Sequence, residues 1–266
     1  MIKIVKTIMV IILSLIISCN NSSSNNKSDS VSTNKTFANK FINVGIYVYD
    51  YPFGYLSNGT IGGFDYDLMN EISKISSIKM NFIPMQFEQL MPALEAKKID
   101  AIIAGMTVTE DRKKQVNFSD KYYTSRQAIL LNQNEDRINT EEDLIGKKVG
   151  VIKGTIADTI ISQNPEIQIE RFETVSSILL SLKVGKVDAA MFDKVTCDHY
   201  LSYDKDLKLA EGITFPEENY AIAFRKDETA LLNEINKALY EVMNNGSYNT
   251  LIQKHLGTNQ ETKSNQ

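Results

Sequence analysis

The sequence has few of the residues that build metal centres and catalytic triads. Its 266 residues include two cysteines, Cys19 and Cys197, and two histidines, His199 and His255. Neither histidine has neighbours typical of a metal site or a triad, so we expect neither a metal nor a cofactor. Dense runs of lysine and arginine are also missing outside the first few residues, and the net charge is −4. Because phosphate binding needs clustered basic side chains, nucleic acid is excluded as a partner.

No apolar run is long enough for an ordinary transmembrane helix. Lys3 and Lys6 precede an apolar run from Ile8 to Ile17, which is shorter than the about 20 residues that a bilayer requires. A positive start with a short apolar core predicts a secretory signal peptide over residues 1–18. The run ends in Leu15-Ile16-Ile17-Ser18-Cys19, which resembles the bacterial lipobox, whose cysteine is lipidated and becomes the mature N-terminus. The alternative is a plain signal peptide with a chance cysteine.

The segment after Cys19 differs in composition from the rest of the chain. Residues 20–39 are mostly Ser, Asn, Lys and Thr, and such a segment cannot bury enough surface to offset the entropy of ordering it. We predict that residues 19–40 form a flexible tether between a lipid on Cys19 and the folded part. Residues 258–266 form a second polar segment, a short tail. With Cys19 acylated, Cys197 has no disulfide partner, and we expect it to be a partly buried apolar filler.

From Phe41 onward, β-rich runs alternate with helical ones, which predicts an α/β fold with partly parallel sheets. Asp65 is predicted to cap a helix that runs to about Ile75. Residues 94–101 and 182–189 repeat one pattern: helix end, basic turn, apolar residue, Asp-Ala and strand. The repeat favours two related lobes, although helix–turn–strand units resemble one another in many proteins. Ligands of open α/β sheets bind beyond the carboxyl ends of the strands. Gly105 and Asp193, which follow the repeated units, are therefore predicted to line one cleft.

Arg112 is a candidate for binding a carboxylate. It lies near a predicted helix N-terminus, beside the strand end that presents Thr107. A guanidinium, a hydroxyl and free backbone N–H groups can together receive a carboxylate, because arginine binds this group in a bidentate manner. The alternative is that Arg112 only pairs on the surface with Glu110, Asp111 or Asp120.

A second strand–turn–helix unit offers a partner site. The strand over residues 148–152 leads to Gly154, which permits close backbone approach, and to Thr155, which can cap the next helix. Asp193 ends another strand and supplies an anion suited to an ammonium group. Arg112 on one lobe and Asp193 on the other would read both charges of a zwitterion.

A series of short motifs follows in order between Val44 and Gly257. They are Tyr51-Pro52-Phe53, Gly63-Phe64-Asp65-Tyr66-Asp67-Leu68, Gly105-Met106-Thr107-Val108-Thr109, Arg112, Phe118-Ser119-Asp120, Gly154-Thr155, Asp188-Ala189, Asn244-Asn245-Gly246-Ser247-Tyr248 and Lys254-His255-Leu256-Gly257. Each motif is weak alone. Their order and spacing together resemble the periplasmic polar amino-acid-binding proteins of ABC transporters, which are solute-binding protein family 3.

The resemblance implies a periplasmic-binding-protein (Venus-flytrap) fold, in which two α/β lobes joined by two hinge strands close around a ligand. Lobe 1 would comprise residues 41–125 and 220–257, and lobe 2 residues 126–219. By the same resemblance, Arg112 and Thr107 would hold the α-carboxylate of a free amino acid, with help from Thr155. Gly105 and Asp193 would hold its α-ammonium group.

The pocket for the ligand side chain departs from the family pattern. Phe87 matches a position where an aromatic ring covers the ligand. Family members that bind Arg, Lys or His tend to carry an acidic residue where this chain has Tyr47, and many carry an aromatic ring where it has Asp50. Tyr49 or Tyr51 could supply that ring instead. The aromatic residues favour a pocket for a neutral polar or aromatic side chain. Asp50 could meet a basic side chain, so a cationic ligand is an open alternative. Each tyrosine could equally be a packing residue.

The resemblance implies a lipoprotein without enzymatic activity that binds a free amino acid and delivers it to the permease of an ABC transporter. It would act as a monomer, anchored by its lipid to the cell membrane on the periplasmic or extracellular face. Two alternatives are an amino-acid-sensing surface protein and an enzyme resembling cyclohexadienyl dehydratases. Such an enzyme needs a positioned acid or base, and its only candidates, Lys153 and Glu88, are readily explained as solvated surface.

Overall fold

The computed structural model describes Phe37 and residues 41–257. The predicted signal peptide (residues 1–18), the lipidation site Cys19, the tether apart from Phe37 and the polar tail (residues 258–266) lie outside the described residues. Within the described part, no helix combines the length and apolar character needed to cross a bilayer.

The first lobe is built on a mixed five-stranded sheet. In spatial order its strands are β5 (Lys79–Pro84), β1 (Phe41–Ile46), β6 (Ala101–Ile103), β14 (Ala223–Arg225) and β7 (Val116–Phe118). Strand β1 runs parallel to β5 and β6, whereas β14 is antiparallel to both β6 and β7. The helices of this lobe are α1 (Phe64–Ser76), α2 (Phe87–Glu95), α3 (Glu110–Gln115), α7 (Thr229–Asn244) and α8 (Ser247–His255). Between β1 and α1 the chain forms a small antiparallel sheet of β2 (Tyr49–Asp50), β3 (Gly54–Ser57) and β4 (Thr60–Gly62).

The second lobe has its own mixed sheet. Its strands in spatial order are β10 (Gln168–Phe172), β9 (Lys148–Ile152), β11 (Ala189–Asp193), β8 (Tyr123–Asn132) and β12 (Leu207–Leu209), and β13 (Glu217–Tyr220) pairs with β8. The helices of this lobe are the 3-10 turn Glu142–Leu144, α4 (Ile156–Ile161), α5 (Val175–Lys183) and α6 (Lys194–Tyr203).

Strands β8 and β13 carry the chain between the lobes. They pair antiparallel, from Tyr123 opposite Tyr220 to Arg126 opposite Glu217. Strand β8 continues into the second sheet, and the chain after β13 returns to β14 in the first sheet. The predicted two-lobed α/β fold with two hinge strands is therefore confirmed. The lobe boundaries predicted at residues 125/126 and 219/220 fall within these strands and stay a prediction.

Helix α1 shows why the first lobe packs as it does. Its buried apolar side chains recur at helical spacing and form one face: Phe64, Leu68, Met69 and Ile72. This face shares one core with strand β1 and helix α7. Burying each such side chain contributes roughly 1.5–3 kcal/mol, so the α1 face anchors the helix against the sheet.

The N-terminus of α1 differs from the sequence pattern, which predicts Asp65 as the cap. The N-cap is Gly63, with φ 121° and ψ 168°. A Cβ on Gly63 would lie 2.2 Å from the carbonyl oxygen of Phe53, and this backbone region is strained for any residue except glycine. Asp65 thus lies inside the first turn, where its carboxylate points to a different partner, Gly105.

The internal repeat puts an aspartate in the same place in both lobes. Oδ2 of Asp100, just before β6, accepts the N–H of Asn43 in β1 at 2.9 Å. Oδ2 of Asp188, just before β11, accepts the N–H of Lys148 in β9 at 2.8 Å. In return, the N–H of Asp100 donates to the carbonyl of Asn43, and the N–H of Asp188 donates to the carbonyl of Lys148. Each aspartate therefore sets the register of two parallel strands, and the carboxyl ends of neighbouring strands emerge together.

Candidate functional site

A cavity lies between the lobes, beyond the carboxyl ends of the parallel strands. The space within it is about 30 Å³, enough to hold at least one water molecule. Both lobes and hinge strand β8 line it: Tyr47, Asp50, Phe87, Ala104, Gly105, Thr107, Gln127, Ile152, Thr155, Ile156, Ala157, Met191, Phe192 and Asp193. Gly105 and Asp193, the ends of the two repeated units, thus meet at one cavity.

The loop after β6 forms the wall of the first lobe. Gly105 has φ +54°, and its N–H donates to Oδ2 of Asp65 at 2.8 Å and to the Tyr122 hydroxyl at 3.1 Å. Burial raises the pKa of Asp65 to about 7, although the hydrogen bonds from Tyr122 and Gly105 oppose this shift. Thr107 follows in the same loop, 5% exposed, and its hydroxyl donates to Oε2 of Glu218 at 2.8 Å.

Arg112 lies at the edge of the cavity, where it contacts both lobes. Its Nη1 donates to the carbonyl of Thr107 at 2.8 Å, and its Nη2 donates to the carbonyl of Gly154 at 3.1 Å. The guanidinium also lies 5.5 Å from the centre of the Phe87 ring. Burial lowers the pKa of Arg112 to about 10, against the opposing charges of Glu218 and Asp193. Arg112 therefore stays protonated near neutral pH.

Arg112 does not form the surface ion pairs with Glu110 or Asp111 that the sequence left as an alternative. Glu110 pairs with Lys113 at 2.8 Å, and Asp111 pairs with Lys114 at 2.6 Å. Both pairs lie on the exposed side of α3, whereas the Arg112 side chain points to the cleft, where it donates to the carbonyls of Thr107 and Gly154.

The turn after β9 forms the facing wall in the second lobe. Gly154 has φ +79°, and a Cβ there would lie 3.3 Å from the Glu88 side chain of the first lobe. Thr155 is the N-cap of α4 and accepts the N–H of Asp158 at 3.5 Å. Lys153 forms an ion pair with Glu88 at 2.7 Å. The lobes therefore touch closely at this turn.

Asp193 and Asp50 bring two carboxylates to the cavity. Oδ1 of Asp193 accepts hydrogen bonds from Nε2 of Gln127 at 2.6 Å and from the Tyr220 hydroxyl. Oδ1 of Asp50 accepts from the Thr196 hydroxyl of the opposite lobe at 2.8 Å. Burial raises the pKa of Asp50 to about 7, with the Thr196 bond opposing the shift. Burial, followed by the negative charges of neighbouring carboxylates, raises the pKa of Asp193 well above its usual range.

Aromatic rings close another side of the cavity. Phe87 begins α2 and meets the Tyr47 ring edge-on at 5.9 Å. The Tyr47 hydroxyl donates across the cleft to the carbonyl of Glu173 at 2.7 Å. Tyr49 packs edge-on against Tyr47 at 5.7 Å, is 38% exposed and does not line the cavity. Of the predicted site residues, the structure therefore puts Arg112 at the edge and Tyr49 behind the wall, and brings the others to the cavity.

Sequence reasoning missed Gln127 and Glu218, which contact Asp193 and Thr107. Glu218 lies in a short polar strand between the exposed residues Glu217 and Asn219. A single sequence contains no signal that separates Glu218 from these neighbours, because only the pairing of β13 with β8 turns it toward the cleft.

The residues that most often carry catalysis lie elsewhere. Cys197 is fully buried, whereas the sequence predicted a partly buried residue. His199 stacks on Tyr51 with ring centres 3.9 Å apart, and His255 hydrogen-bonds Oδ2 of Asp67 at 2.7 Å. None of these three residues lines the cavity. Among residues that the structure describes, no group of three or more His, Cys, Asp or Glu could hold a metal ion.

The chain is similar to proteins of known class. Residues 42–258 match the family described as bacterial extracellular solute-binding proteins, family 3. The chain is 33% identical to the probable histidine-binding protein of Campylobacter jejuni over 205 residues, 77% of this chain and 80% of that one. It is 35% identical to the arginine-binding extracellular protein ArtP of Bacillus subtilis, over 76% of this chain and 81% of that one.

Solved structures agree with this match. The structure of an ancestral arginine-binding protein bound to arginine superimposes with a TM-score of 0.78 at 39% identity. The superposition covers 83% of this chain and all of that chain (100%).

The raised pKa of Asp65 predicts a specific pH dependence of stability. An acid that binds its proton more tightly in the folded state makes the free energy of unfolding fall as pH rises from about 4 to about 7. Asp65→Asn mimics the neutral acid, so the stability of the natural protein relative to this variant should fall over that window. The slope should not exceed about 1.4 kcal/mol per pH unit. Urea unfolding of both proteins at several pH values measures this difference, and a constant difference would show that Asp65 titrates normally.

Proposed function

The chain belongs to the bacterial extracellular solute-binding proteins of family 3, and we propose that it captures one free amino acid and delivers it to the permease of an ABC transporter. One observation carries this proposal: the cavity described above has a guanidinium at its edge and carboxylates in its wall. Arg112 offers its N–H groups to a carboxylate, and Asp193 offers its oxygens to an ammonium group. The two ionic ends of a free amino acid match this pair.

Closure of the lobes strengthens such recognition. Arg112 donates to backbone carbonyls of both lobes, so a carboxylate bound there would contact the first lobe and the turn at Thr155 together. Excluding water lowers the local dielectric and makes each ionic contact stronger. The Thr107 hydroxyl gives its hydrogen to Glu218, so only its oxygen remains free to accept. We propose that Arg112, Thr155 and the backbone N–H of Thr107 hold the α-carboxylate, and that Gly105, Asp193 and the hydroxyl oxygen of Thr107 hold the α-ammonium group.

The charges in the cavity favour a cationic side chain. The sequence pattern favoured a neutral pocket because of its aromatic residues, but Asp50 is a second carboxylate in the wall. Arg112 and Asp193 balance the two charges of a zwitterion, which leaves Asp50 for a further positive charge. A cation beside Asp50 would also favour its ionised form. We therefore propose an amino acid with a cationic side chain, a class that the histidine- and arginine-binding relatives support.

Binding requires the lobes to part. Side chains of both lobes line the cavity, so a ligand reaches it when the lobes separate. Contacts that cross the cleft include Arg112 to Gly154, Tyr47 to Glu173, Thr196 to Asp50 and Lys153 to Glu88. Opening breaks these contacts, and a ligand that bridges both walls shifts the population back toward closure.

We propose further that the protein performs no chemical step. Its relatives are binding proteins, and the cavity wall contains no histidine, cysteine or lysine among the described residues. The two acid–base candidates from the sequence, Lys153 and Glu88, are paired with each other at 2.7 Å. The pairing explains both residues as an interlobe contact.

Arg112→Ala should abolish binding of every amino acid, because the α-carboxylate is common to all of them. The test begins with a thermal-shift screen of the natural protein against the common amino acids, since a ligand at a hundredfold excess over its Kd adds about 2.7 kcal/mol of stability. Calorimetry on Arg112→Ala should then give a Kd about a hundredfold or more weaker.

Arg126→Ala is the matched control, because Arg126 is an exposed arginine on hinge strand β8. Equal affinity in the two variants would refute the carboxylate assignment, and silence of the natural protein in the screen would refute amino-acid binding.

Asp50→Asn should change selectivity among ligands. Loss of the carboxylate is expected to weaken L-arginine about tenfold or more while changing L-glutamine, which is neutral and of similar length, much less. Calorimetric Kd values for both ligands give the ratio. Asp198→Asn removes a charge from an exposed residue of α6 that pairs with Lys194, and should leave the ratio unchanged. If Asp50→Asn weakens the binding of both ligands equally, Asp50 does not recognise the side chain of the ligand.

We also propose that the exported protein is anchored to the cell membrane through a lipid on Cys19, which rests on the sequence pattern alone. Expression in a bacterium with labelled palmitate should give labelled protein in the membrane fraction. Cys19→Ser should lose the label, whereas Cys197→Ser should keep it, since Cys197 is buried in the second lobe. Label retained by Cys19→Ser would refute the anchor.

A further inference from the structure

Four side chains form an unbroken line of hydrogen bonds through the hinge. The Thr107 hydroxyl donates to Oε2 of Glu218 at 2.8 Å. Nε2 of Gln127 donates to Oε1 of Glu218 at 2.5 Å and to Oδ1 of Asp193 at 2.6 Å. We call Thr107, Glu218, Gln127 and Asp193 the hinge network. It joins the ammonium-binding wall of one lobe to that of the other.

The two middle members belong to the two hinge strands. Gln127 lies in β8 and is 4% exposed, and Glu218 lies in β13. The backbone keeps Thr107 beside β13, because the N–H of Val108 donates to the carbonyl of Asn219 at 2.8 Å and Thr107 forms a bridge with Tyr220. The network therefore stands on the part of the fold that both lobes share.

The hydrogen-bond chemistry gives each member a direction. A carboxylate only accepts, so both oxygens of Glu218 must be met by donors. Thr107 has one hydroxyl hydrogen, and donating it to Glu218 leaves the oxygen of Thr107 as an acceptor toward the cavity. The amide nitrogen of Gln127 donates to both carboxylates, and this bond fixes the position of Oδ1 of Asp193. The result is an oxygen acceptor on each wall, Thr107 and Asp193, and acceptors are what an ammonium group needs.

We propose that Glu218 and Gln127 are positioning residues, which orient Thr107 and Asp193 toward the α-ammonium group of the bound amino acid. The inference rests on the proposed amino-acid binding and adds two residues that act through Thr107 and Asp193. Because both residues lie on the hinge strands, the orientation of the ammonium site is set where the lobes join. Burial and the negative charge of Glu218 raise the pKa of Asp193, so a positive charge bound beside this cluster is electrostatically favoured.

The test is a double-mutant cycle on ligand affinity. Calorimetry measures the Kd of L-arginine, or of L-glutamine if arginine does not bind, for the natural protein, Glu218→Gln, Thr107→Val and the double variant. Glu218→Gln should weaken binding about tenfold to a hundredfold, because hydrogen bonds to a charged group are lost. In the Thr107→Val background the same change should cost much less, since Glu218 then has no hydroxyl to orient. A merely structural role for Glu218 would give equal costs in both backgrounds.

Glu217→Gln is the matched control. It removes the same charge from the neighbouring exposed residue of β13 and should leave the Kd unchanged. If Glu218→Gln binds like Glu217→Gln, or if its cost is the same in both backgrounds, the positioning role is wrong while amino-acid binding stands. If the natural protein binds no amino acid at all, it is the proposed function that fails.

Gln127→Met provides a second, independent test if Glu218→Gln does not fold. Methionine keeps the length of the side chain and removes both donors to Asp193 and Glu218. A loss of about tenfold or more in affinity, with the thermal midpoint of the ligand-free protein unchanged, supports the proposal. Unchanged affinity overturns it.

Discussion

Charges buried between the two lobes are the constraint on which the rest of this molecule depends. Removing an ion from water is costly unless a partner or a hydrogen bond compensates it. The cleft contains one guanidinium, that of Arg112, against the carboxylates of Asp50 and Asp193, with Glu218 behind them. Burial raises the pKa of both aspartates. A ligand with a positive charge, as we propose, would favour the ionised form of both aspartates.

The hinge strands both connect the two lobes and hold side chains of the binding site. A closing cleft needs a flexible connection, but a binding site needs fixed side chains. Strands β8 and β13 pair with each other over only four residues on each strand, so they can bend together without breaking either sheet. Their inward side chains, Gln127 and Glu218, meanwhile hydrogen-bond to the acceptors on both walls. Motion and orientation are therefore controlled at one place.

Much of the architecture could be predicted from the sequence, because it rests on local signals. The helix N-caps at Thr109 and Thr155, the strand before Gly154 and the repeated Asp-Ala units all depend on neighbours in the chain. Asp65 was misassigned as a cap because its true partner, the N–H of Gly105, lies 40 residues away. Tyr49 and Asp50 are adjacent in the chain, yet only Asp50 reaches the cavity, because successive side chains of a strand point to opposite faces.

The sequence by itself determined the α/β class, and its motif order determined the family and with it the two-lobed plan. It also predicted Arg112 and Asp193 as opposite ends of one site, which stays a prediction. These follow from periodicity, capping and motif order, which are properties of neighbouring residues. Only the tertiary structure decided that Asp50 meets Thr196 across the cleft, that Tyr49 stands behind Tyr47, and that Gln127 and Glu218 join the two walls. Those contacts depend on strand register and lobe closure. Both are set by packing and hydrogen bonding between residues far apart in the chain, which local pattern does not encode.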